Sequence, residues 1–170
     1  MLFFGFLVVL MLAAALLGRL GVAGLRGAAG VDWPACMRWA MAGALLFFGV
    51  DHLIHPGRYL PMIADFVPFP PAVVLLTGLC EIAGAAGLLV PRLRRAAGLA
   101  LAVYFVCVFP ANLRNALAGG GIEGLPSAAW YYWLRLAFQP LAVWWALYAA
   151  ELVRWPWPPQ HRHGAETRAC

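Results

Sequence analysis

Five stretches of the chain are almost wholly apolar: Leu2 to about Leu20, Trp39 to His55, Ala72 to Val90, Ala96 to about Leu113, and Ala128 to about Val153. Short links bearing Arg, Pro or Gly separate them. Each stretch holds roughly 17–26 residues, the length a helix needs to cross a ~30 Å hydrocarbon layer. Backbone groups in hydrocarbon must bond within their own segment, which makes these spans helices. Pro56 stops the second and Pro91 the third. The expected fold class is therefore an all-α membrane protein of five spans. The first run lacks the positively charged leader of a secretory signal and is long enough to span, so it reads as a helix.

The links set an orientation. Arg19, Arg26 and Arg38 lie between spans one and two, Arg92, Arg94 and Arg95 between three and four, and Arg154, Arg162 and Arg168 in the tail. The alternate links carry only Arg58 and Arg114. The Arg-rich side is the cytoplasmic one, which puts the N-terminus outside and the C-terminus inside. Trp33 and Trp39, Trp155 and Trp157, and the run Trp130 to Trp133 fall at the expected interfaces, where rings with one polar edge settle. The link "PGRYLPMIADFVPFPP" cannot be one helix and reads as a cap on the outer surface. "AGGGIEGLPS" is turn-like, and the tail from residue 154 reads as disordered.

Composition narrows the class further. The chain is 64% hydrophobic and 11% charged over 170 residues, too little polar surface for a soluble domain of this size. Its net charge of +5 sits in separate short links and forms no groove-sized patch, so nucleic acid is not an expected partner. Cys36, Cys80, Cys107 and Cys170 form no C-x-x-C pair, and no Cys/His spacing suggests a metal centre.

Polar residues at membrane depth carry the chemistry. Asp51, His52 and His55 lie at the outer end of the second span. Glu81 follows Pro71 by roughly 15 Å, near the midplane; Asn112 lies at the outer rim, and Arg135 about 9 Å in, with Gln139 a turn deeper. These groups collect in the outer half and leave the inner half greasy. Thr77, Gly78, Glu81, Gly84 and Ala85 share one helical face, whose small residues admit a close neighbour. Tyr131, Tyr132, Arg135 and Gln139 share another. A lone charge at mid-bilayer costs about 2.5–3.5 kcal/mol on insertion scales, so Glu81 needs a partner. Arg135 has the right sign and depth, and its fork suits a carboxylate. The expectation is a Glu81–Arg135 ion pair supported by Gln139 and a tyrosine hydroxyl, serving either a pocket or only helix register. His52 and His55 alone specify no metal. Asp51 with His55 could shuttle protons at the surface. Pro110 and Pro140 free carbonyls at Val106 and Leu136 as further acceptors. Together Asp51, His52, His55, Glu81, Asn112, Tyr132, Arg135 and Gln139 form the expected outward-facing pocket, with His52, His55 and Glu81 its candidate catalytic groups.

From about Arg38 to Val153, the pieces "FFGVDHLIHPGRYL", "LTGLCEIAGAAGLLVPRLRRAAG", "VFPANLRNAL" and "WLRLAFQPLAVWWAL" resemble the DoxX-like family of small bacterial membrane proteins. The family's His after a Gly matches Gly49 and His52, its acidic residue before Gly/Ala-rich sequence matches Glu81, its "FPAN" Asn matches Asn112, and its last-helix Arg matches Arg135. The resemblance implies a four-helix transmembrane bundle over residues 39–153 in the bacterial inner membrane. Residues 1–20 would be an added helix packed outside it as an anchor, joined by a cytoplasmic link at 21–38. It also implies quinone-linked or other membrane redox chemistry with a partner subunit, with quinone as the ligand. No haem, flavin or iron–sulfur signature accompanies it. Alternatives are a small-molecule carrier or binding protein, and a membrane scaffold or assembly factor.

Overall fold

A computed structural model describes residues 2–22, 24–27, 30–63, 67–118 and 128–153. Five helices dominate: α1 (Leu2–Arg19), α2 (Trp33–Ile54), α3 (Pro70–Leu89), α4 (Arg94–Leu117) and α5 (Ala129–Ala149). A small antiparallel hairpin, Arg26–Gly27 with Gly30–Val31, stands between α1 and α2. Two single-turn 3-10 segments, Pro56–Arg58 and Leu60–Met62, follow α2. The link expected to cap that end is thus a strap of tight turns around its prolines, as far as the described residues go. The turn-like link at 119–127 and the tail from 154 lie outside the described residues.

Helix α2 packs on α3, α3 on α4, α4 on α5, and α5 returns to α2, while α1 lies against α2. Three of these helices, Trp33–Ile54, Pro70–Leu89 and Arg94–Leu117, are long and apolar enough to cross a bilayer. Their surfaces are apolar as well as their contacts: Phe47, Leu76, Val103 and Val106 are all more than half exposed. A helix hydrophobic on its outer face as well as its inner one suits hydrocarbon surroundings, where apolar exposure carries no penalty.

Helix α1 packs closely against the other helices. Leu7 is fully buried in the same core as Met41, Leu45, Leu88 and Trp145. Phe3 meets Phe48 of α2 and Phe105 of α4, and Phe4 stacks on Phe138 of α5 at 4.7 Å. Aromatic rings on successive residues let one helix end reach three others.

The start of α2 differs from the hydropathic boundary. Asp32 caps it by accepting from the Ala35 amide at 3.0 Å, with Pro34 in the first turn, so the helix begins at Trp33 rather than Trp39. This carries Arg38 out of the link and into the helix, where it is 7% exposed. Its Nε donates to Ala149 O at 3.1 Å and its Nη2 to Glu151 Oε1 at 2.8 Å, while Arg94 reaches the same oxygen at 3.1 Å. Here α5 ends in a Schellman turn: the Glu151 amide bonds Tyr148 O at 2.9 Å and the Leu152 amide bonds Leu147 O at 2.9 Å. Glu151 takes the left-handed position, φ 59°, where glycine is usual. The left-handed conformation costs roughly 1–2 kcal/mol for a residue with a Cβ, which two guanidinium partners offset. The Arg-rich end of the bundle therefore holds an ionic clamp joining α2, α4 and the exit of α5.

Candidate functional site

The site begins with two glycines. A Cβ on Gly49 of α2 would lie 2.9 Å from Gly78 O and 3.1 Å from the Glu81 Cβ; one on Gly78 of α3 would lie 2.8 Å from Gly49 O and 2.9 Å from the His52 Cβ. The helix backbones touch at this crossing, as small residues permit. Glu81 lies one turn beyond Gly78, and His52 one turn beyond Gly49, so both side chains emerge where the helices are closest.

Glu81 is buried, its side chain 9% exposed, and His52 is nearly so at 11%. His52 Nδ1 lies 2.8 Å from Phe48 O and 3.3 Å from Glu81 Oε2. Both neighbours are acceptors only, so Nδ1 carries the proton. That proton serves the Phe48 carbonyl, and Oε2 is left with the His52 contact and no hydrogen-bond donor among the described residues. The other oxygen, Oε1, accepts from the Tyr104 hydroxyl of α4 at 2.7 Å. The buried carboxylate thus has one satisfied oxygen and one bare oxygen beside an imidazole.

A more exposed layer covers this pair. The Asp51 carboxylate accepts from Arg58 Nη1 with both oxygens, at 3.0 and 2.8 Å, and from the Tyr59 hydroxyl at 2.5 Å. His55 Nδ1 lies 2.9 Å from Asp51 Oδ1, so the expected Asp51–His55 dyad is present but is one arm of a four-residue cluster. The Tyr59 ring stacks on His52 at 3.6 Å with the planes 17° apart. Burial, and then the adjacent Asp51 carboxylate, push the Tyr59 phenol above its ordinary pKa and keep it protonated.

The expected Glu81–Arg135 ion pair is absent. Arg135 Nη2 donates instead to Asn112 Oδ1 at 3.0 Å, and its guanidinium lies 5.9 Å from the Tyr131 ring centroid. Asn112 Nδ2 in turn donates to Gln139 Oε1 at 3.0 Å, and Gln139 Nε2 donates to Phe105 O. The reason is helix order. α3 packs on α2 and α4 whereas α5 packs on α4 and α2, so Glu81 and Arg135 sit on diagonally opposite members of the ring. Tyr104 and Asn112 differ by eight residues, roughly 80° around α4, so one faces α3 and the other α5. The eight expected pocket residues therefore fall into separate networks. Asp51, His52, His55 and Glu81 join on α2 and α3; Asn112, Arg135 and Gln139 join between α4 and α5. Tyr132 is 1% exposed, and its hydroxyl has no partner among the described residues. Gln139 uses the Phe105 carbonyl and not the Val106 carbonyl expected to be freed by Pro110.

Three residues of the Glu81 site were not legible in advance. Tyr104 stands alone as a hydroxyl in an apolar span, which was the available signal. Arg58 and Tyr59 follow the "DHLIH" run within one strap. Among the described residues no group of three or more His, Cys, Asp or Glu is gathered as for a metal.

The family model of a domain of unknown function, DUF8561, matches residues 41–150. No curated protein and no solved structure matches the chain. The matched span starts inside α2, closes with α5 and takes in every residue of both polar networks while leaving α1, Arg38 and Glu151 outside. The chain belongs to the DUF8561 family.

Proposed function

We propose that this chain is a multi-pass inner-membrane protein of DoxX-like type that binds a quinone head group and assists membrane redox chemistry. In this reading all five helices span. At ~1.5 Å per residue, α1 and α5 are about 27 and 32 Å long, enough for the hydrocarbon layer. The Arg distribution puts the His52 end outside and the Arg38 clamp at the cytoplasmic face.

One observation carries the reading: Glu81 is buried with an oxygen that has no donor among the described residues, and the ionisable group beside it is an imidazole rather than a fixed cation. A pair built only to fix helix register would suit a permanently charged arginine better. A quinone carbonyl needs a donor, and its reduced form needs an acceptor and a proton exchanger close by. In this reading the Tyr104 hydroxyl turns from Glu81 to the quinone carbonyl as donor, Glu81 accepts, and His52 exchanges the proton. The Asn112–Gln139–Arg135 chain holds α4 against α5 and keeps Tyr104 on the α3 side.

The test is titration of purified protein with a short-chain quinone, followed by spectroscopy or calorimetry. Saturable binding that weakens at least about tenfold in Glu81→Gln is expected, the effect of removing one charge-assisted contact. No binding, or binding indifferent to Glu81, would refute it. A scaffold role would instead leave cells unaffected by Glu81→Gln.

A further inference from the structure

The strap after α2 places a phenol on the protein's own site. Tyr59 joins two single-turn segments, Pro56–Arg58 and Leu60–Met62, neither of which has a buried residue. Its ring nevertheless lies flat on His52 at 3.6 Å, and its hydroxyl is held by Asp51 at 2.5 Å. Asp51 is fixed in turn by both contacts from Arg58 and by His55. A flat π face, a carboxylate acceptor and a cation that holds the carboxylate in place are what recognition of a phenol requires. On the His52 ring itself, Nδ1 lies 3.3 Å from Glu81 Oε2, which is more than nine-tenths buried and without a hydrogen-bond donor among the described residues.

We propose that His52, Asp51 and Arg58 form a phenol-binding subsite, that Tyr59 occupies it as an internal ligand in the resting chain, and that an incoming phenolic or hydroquinone ring takes its place. Displacement exchanges one ring stack and one hydroxyl–carboxylate bond for chemically equal ones. It also opens the way to Glu81, whose bare oxygen accepts a further hydroxyl. The choice of hydroquinone among phenols rests on the proposed function; the subsite itself does not. Because only the fraction of molecules with Tyr59 displaced can bind, ligand affinity is reduced by that fraction.

The experiment uses the full chain in detergent, with p-cresol, the side-chain analogue of tyrosine, as probe. Tyr59→Ala empties the subsite and should bind p-cresol saturably, at least about tenfold tighter than the parent chain, and Asp51→Asn in that background should remove the gain. Tyr59→Phe keeps the ring but loses the hydroxyl bond, and should bind p-cresol with intermediate affinity. It carries the test if the alanine variant does not fold. Equal p-cresol affinity in the parent, Tyr59→Phe and any folded Tyr59→Ala protein overturns the subsite. A parent chain that binds short-chain quinone while Tyr59 variants ignore p-cresol also overturns the subsite but leaves the proposed function. A Tyr59→Ala chain that binds p-cresol while no variant binds quinone supports the subsite and removes the quinone.

Discussion

The two ends of α2 each bury a charged group, and they treat it differently. At the Arg38 end the charge is permanent. Arg38 bonds a helix-terminal carbonyl and a carboxylate that a second arginine also grips, and the result ties the exit of α5 to the starts of α2 and α4. At the His52 end the charged group is a carboxylate beside an imidazole that can gain or lose a proton, and one of its oxygens has no hydrogen-bond donor among the described residues. The first arrangement fixes a shape. The second can respond to what approaches it. The family match covers all of the second and stops just short of Arg38 and Glu151. The contrast teaches that burial of a charge alone does not mark a working site; the chemistry of its partner does.

Substitutions should separate the two ends, and the crossing glycines should show the largest effect. Gly78→Val drives a side chain into the Gly49 carbonyl and His52, and should cost about 3 kcal/mol as an overpacked contact while abolishing quinone binding. Thermal unfolding in detergent reads the first and titration the second. Next comes the structural end. Arg38→Met should cost about 2 kcal/mol through loss of charge-assisted bonds, with quinone affinity unchanged. A large fall in affinity there would erase the distinction between the ends. Glu81→Gln should reverse that pattern, shifting stability by less than about 1 kcal/mol because a buried charge is removed, while weakening binding. Tyr104→Phe leaves Glu81 Oε1 without its donor and should cost about 2 kcal/mol, but among the site's substitutions it has the smallest effect on binding, weakening it only severalfold.

Much of this was visible along the chain, because a bilayer-length apolar run states its own secondary structure. The small-residue face around Glu81 foretold a close crossing, and the crossing is there at Gly78. Asn112, Arg135 and Gln139 were expected in one pocket and do meet, although Asn112 was expected at the rim and Gln139 a turn below Arg135. Helical phase, however, gives the face of a residue and not which neighbour it meets. Glu81 and Arg135 matched in charge and depth but lie on diagonally opposite helices, a fact set by packing order. Equal starting heights for the helices also misled. His52 near the end of α2 and Glu81 roughly 16 Å into α3 meet at one level, because the Gly49–Gly78 contact and not the helix ends sets the register. Arg38 read as a link charge because hydropathy sees the apolar run, whereas Asp32 and Pro34 decide where the helix starts. The clamp at Glu151 was hidden because a glutamate in a left-handed cap has no sequence signature of its own.

The most direct test of the central claim, that Glu81 and its titratable neighbour form the working site, is an infrared difference spectrum recorded on adding a short-chain quinone to the purified protein. The account predicts a change in a carboxyl band that disappears in Glu81→Gln and persists in Arg135→Gln. A spectrum with no carboxyl change, or with one that vanishes only when Arg135 is replaced, would contradict it.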